Sequence, residues 1–143
     1  MSTFIMFKKS QEDAMSDIHA ITTTQAPKAI GPYSQAIALP GLLFVSGQLP
    51  IDPATGNMVE GPIRLLAHRV FTNLRAIAKA AGCDMGDAVK TTVFLTDLAA
   101  FPTVNAIYAE YFPQPYPARS AIQVAALPLG SPLEAEAIFM RKG

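Results

Sequence analysis

The chain has 143 residues, of which half are hydrophobic and 15% are charged, and its eleven basic and eleven acidic side chains give a formal charge of zero. This length predicts one domain around a single core, and the neutral charge argues against a nucleic-acid partner. No apolar run reaches the roughly 18 residues of a membrane span, so no membrane partner is predicted. An average soluble domain is about 25% charged, so the low charge predicts a homo-oligomer that covers apolar surface.

Residues 1–17 are predicted to form a flexible N-terminal extension, and residues 18–143 a single domain. The extension has mixed charge, and its apolar residues 4–7 are too few for the core of a signal peptide. Cys83 is the only cysteine, which excludes an internal disulfide and suits a reducing compartment. We therefore predict a cytoplasmic protein in which Cys83 is a structural thiol.

The first predicted elements are a hairpin and a helix. Residues 33–39 and 42–48 alternate or run apolar on either side of Pro40-Gly41, which predicts two antiparallel strands. From Pro62 to Gly82, apolar side chains recur every three or four residues, as in an amphipathic helix that starts at a proline and stops at a glycine. This stripe comprises Ile63, Leu66, Val70, Leu74, Ile77 and Ala81.

A strand and a second helix follow. Residues 88–96 are β-branched and apolar without an internal breaker, which predicts a strand that ends in a turn at Asp97. The next helix has Pro102 in its first turn and ends in the proline-rich residues 113–117. Its apolar stripe comprises Phe101, Val104, Tyr108 and Tyr111 or Phe112.

The last segment places an arginine and a glutamate in two strand-like stretches, separated by the proline- and glycine-containing residues 127–132. A hairpin folded at that turn would set Ala121 opposite Glu134, with Arg119 two positions away. Arg119 and Glu134 would then share one pocket. The alternative is a surface ion pair of little energetic value.

Arg119 and Glu134 suit chemistry on small organic acids. A guanidinium binds a carboxylate with two parallel hydrogen bonds, and a nearby glutamate can move protons or orient a water molecule. Proximity of Arg119 should favour the ionised form of Glu134, as a base requires. The combination of these two residue types suggests an enzyme acting on small organic acids, with Arg119 as the anchor for the substrate and Glu134 as the group that handles protons or water.

Several other chemistries lack their residues. His19 and His68 are the only histidines, and neither adjoins a nucleophilic serine or cysteine. His68 and Arg69 lie on or near the polar side of the first helix, where we expect them to be solvated. No Cys/His pair has metal-ligand spacing and no glycine-rich phosphate loop occurs, so no metal and no cofactor are predicted.

The predicted order ββ-α-β-α-ββ indicates an α+β fold in which two helices cover one face of a mostly antiparallel or mixed sheet. Four segments support a closer comparison, and the most specific pair is Ser46-Gly47-Gln48-Leu49-Pro50 with Pro117-Ala118-Arg119-Ser120. The four segments are residues 26–36, 44–50, 89–98 and 117–120. In order and spacing, residues 26–141 resemble the RidA/YjgF family of reactive-intermediate deaminases.

The resemblance implies a homotrimer of chorismate-mutase-like α+β subunits, whose sheets pack inward and whose three pockets lie between neighbouring subunits. It also implies hydrolysis of short 2-imino acids, released as enamines by pyridoxal-phosphate enzymes, to 2-keto acids and ammonia. The substrates that the resemblance implies are 2-iminobutanoate and 2-iminopropanoate, and the implied reaction needs no cofactor.

The resemblance also implies roles for individual residues. Arg119 would clamp the substrate carboxylate, and Glu134 would orient or activate the attacking water. Tyr33 would line the pocket, the Gly47 backbone N–H would bind the carboxylate, and the backbone at Ala121 would help to hold the water.

Two departures and three alternatives accompany these assignments. Ala121 stands where many deaminating members carry a cysteine. Because the role implied for this position belongs largely to the backbone, we expect activity to survive with an altered substrate preference. Leu66-Ala67 replaces a polar Gln-Thr pair common in the first helix. The alternatives make Tyr33 a core or interface aromatic, Gly47 a strand-bend glycine and Glu136 a structural acid.

Competing functions use the same residues. A non-catalytic protein that binds or senses small carboxylates such as 2-keto acids could use the Arg119 fork without turnover. A translation inhibitor or endoribonuclease is disfavoured by the neutral charge and by the absence of placed histidines.

Overall fold

The structure is a computed structural model that describes residues 17–142. The extension predicted over residues 1–17 lies outside the described residues, except for Asp17. The elements in chain order are β1 (His19–Ile21), β2 (Ala36–Leu39), β3 (Leu42–Gln48), α1 (Ile63–Ala80), β4 (Ala88–Leu95), α2 (Phe101–Tyr111), β5 (Ala118–Gln123) and β6 (Leu133–Met140).

The strands form one mixed sheet in the order β1-β2-β3-β6-β4-β5. Every neighbouring pair is antiparallel except β4 and β5, which run parallel and are joined by α2. A parallel pair needs such a crossover, because a short turn can only reverse the chain. The predicted α+β architecture with a mixed sheet and two helices is confirmed.

The first hairpin and both helices form where they are predicted. Gly41 supplies the turn between β2 and β3 with φ of 84°, which a side chain would disfavour. Pro62 precedes α1, and Gly82 follows it with φ of 78°. β2 begins at Ala36 rather than at Tyr33.

One expectation for α1 needs correction. His68 and Arg69 are half-buried, not solvated, because each has a partner on the protein. His68 Nδ1 lies 2.8 Å from Tyr111 Oη, and Arg69 Nε donates to Asn73 Oδ1 at 3.1 Å. Leu66 and Ala67 are buried in the core.

The predicted terminal hairpin is wrong, because β4 lies between β5 and β6. Val93 pairs with Ala121 on one side and with Ala135 on the other, so Ala121 does not face Glu134. The segment between β5 and β6 crosses the end of β4 instead of turning back alongside it. Leu95 O accepts from Val124 N at 2.8 Å, and Thr96 N donates to Pro132 O at 3.2 Å.

Strand β1 was not predicted. It has only three residues, and two of them are exposed, so it carries no periodic signal of its own. It pairs with β2 through His19 opposite Ala38 and Ile21 opposite Ala36. Its strand conformation therefore depends on the edge that β2 offers.

The core lies between the helices and one face of the sheet. Its largest fully buried side chains include Phe71 of α1, Val93 of β4 and Phe139 of β6. The opposite face of the sheet exposes Phe44 and Met140, whose strand neighbours point into the core. Within residues 17–142, neither helix is long and apolar enough to cross a membrane.

Candidate functional site

Gly47 and Glu134 contact each other across strands β3 and β6. The pairing of these strands shifts between Val45 and Gln48, so Gly47 lies in an irregular stretch where the ladder is interrupted. A Cβ at Gly47 would overlap Glu134 Oε1 and lie 3.0 Å from the carboxyl carbon. A side chain at this position would therefore have to push the Glu134 carboxylate aside.

Tyr33 and Gly47 line one pocket of about 490 Å³. Tyr33 is 50% exposed, which rules out the core alternative for this aromatic residue. Its hydroxyl accepts a hydrogen bond from Ile30 N at 3.3 Å, so the ring folds back over the segment that precedes β2. The structure thus brings together three predicted site residues: Tyr33, Gly47 and, behind Gly47, Glu134.

Arg119 extends from the edge strand β5 onto helix α2. Its Nη1 donates to Asn105 Oδ1 at 2.7 Å. The guanidinium carbon lies 4.7 Å from the ring centroid of Tyr108 and 5.1 Å from that of Phe101. Two cation–π contacts and one hydrogen bond hold this side chain in one direction, beside a pocket of about 390 Å³.

Phe101 and Tyr108 are predicted from the sequence only as core residues, and Asn105 is not predicted to be part of a site. A signal was available, because Asn105 follows Phe101 by four positions and precedes Tyr108 by three, which places all three on one helix face. This helix face meets Arg119 because β5 pairs in parallel with β4. The predicted terminal hairpin did not include that pairing.

Arg119 and Glu134 lie on opposite faces of the sheet. Arg119 pairs with Thr91, whose hydroxyl is 2.7 Å from Tyr108 Oη on the helix side. Glu134 pairs with Phe94 and therefore points to the other face, since neighbouring side chains alternate along a strand. The prediction that the two residues share a pocket is wrong for the single chain.

The pKa of Glu134 is raised above its ordinary value, chiefly by burial and then by the negative charge of Glu136. The expected stabilisation of its ionised form by Arg119 is absent in the single chain, because β4 separates the two residues. A carboxyl group with a raised pKa exchanges its proton nearer to neutral pH, as acid–base catalysis requires.

Ala121 is half-buried and packs against the core from strand β5. Cys83 is also buried, and burial raises the pKa of its thiol, which fits the predicted structural role.

Comparisons with known proteins agree with this architecture. A sequence model described as endoribonuclease L-PSP matches residues 23–140. The 2-iminobutanoate/2-iminopropanoate deaminase of Homo sapiens is 50% identical over 121 residues, which cover 85% of this chain and 88% of that protein. A RutC family protein of Sinorhizobium fredii is 53% identical over 122 residues, which cover 85% of this chain and 97% of the relative.

Solved structures show the same fold. RidA from an Antarctic Psychrobacter species gives a TM-score of 0.82 at 44% identity and covers 85% of this chain and 98% of its own. E. coli TdcF with bound serine gives a TM-score of 0.82 at 42% identity and covers 87% of this chain and 99% of its own. Because sequence and fold agree over nearly the whole described chain, the protein belongs to the RidA/YjgF family.

Proposed function

We propose that the protein hydrolyses short 2-imino acids, such as 2-iminobutanoate and 2-iminopropanoate, to 2-keto acids and ammonia. The observation that carries the proposal is Glu134, a carboxyl group with a raised pKa held against Gly47. Support comes from relatives about half identical to this chain that are named for this activity in human and mouse. We further propose a cytoplasmic protein with one domain over residues 18–143.

The reaction requires little beyond positioning and proton transfer. A protonated imine carbon is electrophilic, so a water molecule held beside it can add to give a carbinolamine. In this proposal Glu134 takes the proton from that water and returns it to the nitrogen. Glu134, ionised again, takes the hydroxyl proton as the carbon–nitrogen bond breaks and ammonia leaves. The carbinolamine oxygen becomes the keto oxygen, and the proton passes from Glu134 to the released ammonia.

The proposed sites lie between subunits of a homotrimer. Arg119 and Glu134 face opposite sides of one sheet, so Arg119 of a neighbouring subunit would clamp the carboxylate that Glu134 of the first subunit acts on. The exposed apolar sheet face, which includes Phe44 and Met140, supports association through that face. Sedimentation of a stable monomer at micromolar concentration would contradict this part of the proposal.

The test is consumption of imine by the purified protein without added cofactor. A threonine dehydratase generates the enamines, and semicarbazide traps the imine that remains. Faster keto-acid release with the wild type, but not with Arg119→Ala, is the expected result. Unchanged release with the wild type would contradict the deaminase proposal.

A carboxylate-binding protein without turnover is the second candidate. The serine bound to the E. coli relative favours it, because that ligand is a small carboxylic acid. Calorimetric titration with 2-oxobutanoate distinguishes the two functions. Binding without any acceleration of imine hydrolysis would support the second candidate.

Endoribonuclease activity is the third candidate, favoured only by the description of the matching family model. In the described chain, His68 is engaged with Tyr111 and His19 lies on the edge strand β1. Failure to bind RNA at both low and high salt would remove this candidate.

Gly47→Ala should lower kcat/KM by about 100-fold, because the added methyl group must displace the Glu134 carboxylate and small displacements of a reacting group have effects of this order. The melting temperature should fall only slightly, since the displaced atoms end a side chain. Steady-state kinetics and calorimetry measure the two effects. Full activity in Gly47→Ala would show that the position of this carboxylate does not matter.

Asn105→Ala should weaken binding of 2-oxobutanoate by roughly tenfold, because Arg119 loses a hydrogen bond that sets its direction. Asn105 is a positioning residue, so KM should rise more than kcat falls. Thr103→Ala, at an exposed position on the same helix, is the matched control. Equal losses in kcat and in thermal stability would indicate a structural role instead.

A further inference from the structure

The pocket lined by Tyr33 and Gly47 is larger than a four-carbon acid requires. Its volume of about 490 Å³ falls in the range of pockets that hold drug-sized ligands. One wall is the segment before β2, and the other is the loop that follows β3. Gly47 borders both this pocket and the Glu134 carboxylate, so the pocket lies next to the group proposed to activate the water.

A buried amide fixes the first wall. Gln35 is 4% exposed and makes hydrogen bonds through both atoms of its amide. Its Oε1 accepts from Thr23 N at 2.8 Å, and its Nε2 donates to Pro27 O at 2.8 Å and to Thr23 O at 3.0 Å. The backbone of this wall is thus tied to the start of β2.

A second buried amide fixes the opposite wall. Asn73 of α1 is fully buried, and its Nδ2 donates to Leu49 O at 3.1 Å and to Ile51 O at 2.9 Å. Arg69 Nε satisfies the remaining Oδ1. Both walls are therefore held by satisfied buried polar groups, as in a pocket formed before its ligand arrives.

Large apolar side chains stand at the pocket. Ile30 is 70% exposed and Leu129 is 62% exposed, and both line it. Leu129 adopts φ of 59° and ψ of 21°, a left-handed conformation that is costly for a non-glycine residue. Packing in the core explains neither the two exposed side chains nor the left-handed backbone of Leu129. Contact with a ligand would account for both features.

We propose that this pocket receives the side chain of the 2-imino acid, and that Ile30 and Leu129 select branched or longer apolar side chains over the ethyl group of 2-iminobutanoate. The inference rests on the proposed deaminase function, which supplies the carboxylate and imine ends of the ligand. An apolar chain that runs from Gly47 towards Leu129 would remove both exposed side chains from water.

The experiment compares two imines made by an L-amino acid oxidase, one from leucine and one from 2-aminobutyrate. Wild type should have the higher kcat/KM for the leucine-derived imine. Leu129→Gly suits the left-handed backbone and should retain the fold, and Ile30→Ser changes an exposed side chain. Each should lower the ratio of the two kcat/KM values by roughly tenfold, as removal of pocket contacts with an aliphatic chain does.

Leu65→Ala is the control, because Leu65 is an exposed apolar residue outside the pocket, and the ratio should not change. A wild-type preference for the shorter imine, or an unchanged ratio in both pocket variants, would overturn the inference.

Calorimetry with 4-methyl-2-oxopentanoate and 2-oxobutanoate tests the pocket without turnover. If the wild type binds the longer acid more tightly and Leu129→Gly loses that difference, the pocket assignment is supported even if no imine is hydrolysed. Equal affinity of the wild type for the two acids would refute it.

Discussion

Arg119→Ala is expected to lower kcat/KM for 2-iminobutanoate by roughly two to three orders of magnitude, since loss of one partner of a hydrogen-bonded charge pair costs about 2–5 kcal/mol. Binding of 2-oxobutanoate should be lost in parallel, because the proposed role of the guanidinium is to bind the carboxylate common to substrate and product. Steady-state kinetics and calorimetric titration measure the two effects. Retained binding in Arg119→Ala would remove the residue from the proposed site.

Arg119→Lys separates charge from geometry. Lysine keeps the positive charge but cannot offer the planar fork that donates two parallel hydrogen bonds. We expect an intermediate loss, with part of the affinity restored at low ionic strength. Activity equal to wild type would mean that only the charge of Arg119 is used.

Glu134→Gln is expected to lower kcat by about 10²- to 10⁴-fold, the usual contribution of a positioned acid–base group. Affinity for 2-oxobutanoate should remain within a few-fold of wild type, because the carboxylate clamp is intact. Single-turnover kinetics with trapped imine measures the loss. A parallel loss of binding would contradict the division of roles between Arg119 and Glu134.

The raised pKa of Glu134 also predicts a pH dependence of stability. The folded chain binds this proton more tightly than the unfolded chain, so the carboxyl group destabilises the fold above its folded pKa and ceases to do so below its unfolded pKa. Glu134→Gln should therefore melt above wild type at neutral pH and equal to it at acid pH. If Glu134→Gln raises the melting temperature more in the Arg119→Ala background than in the wild type, a neighbouring Arg119 stabilises the ionised Glu134.

Mixing the two inactive variants tests where the site lies. In a trimer of Arg119→Ala and Glu134→Gln subunits, some interfaces pair an intact Arg119 with an intact Glu134. Random assembly restores roughly a quarter of the sites if they lie between subunits in a head-to-tail ring. Co-expressed, differently tagged variants should thus recover activity, and complete inactivity would place both residues in one subunit's site or in none.

Local pattern predicted most elements of the fold, because each depends on periodicity and on its own stop signals. The β2–β3 hairpin, both helices and β4 form near their predicted positions. The prediction of a terminal hairpin is wrong for a physical reason. A turn rich in proline and glycine shows where the chain stops pairing, but not whether a third strand lies between the two strands that flank the turn. That depends on contacts distant in sequence, as does the short strand β1.

The candidate site was predictable to the same extent. Sequence motifs predict Tyr33, Gly47, Arg119 and Glu134 as site residues, and the structure places Gly47 against Glu134. Arg119 and Glu134 lie on opposite faces because their strands both pair with β4, which lies between them, and no local signal reveals that pairing. The contact of Asn105 with Arg119 depends on the same topology and was missed for the same reason.

The position of β6 in the middle of the sheet has a consequence for synthesis of the protein. β6 is the final strand in chain order, yet it pairs with β3 on one side and with β4 on the other. A nascent chain still lacking β6 leaves the edges of two strands unpaired and part of the core open to solvent. Because Glu134 is on β6, the proposed acid–base group arrives with the strand that closes the sheet, so a chain truncated before it has neither a complete fold nor a complete site.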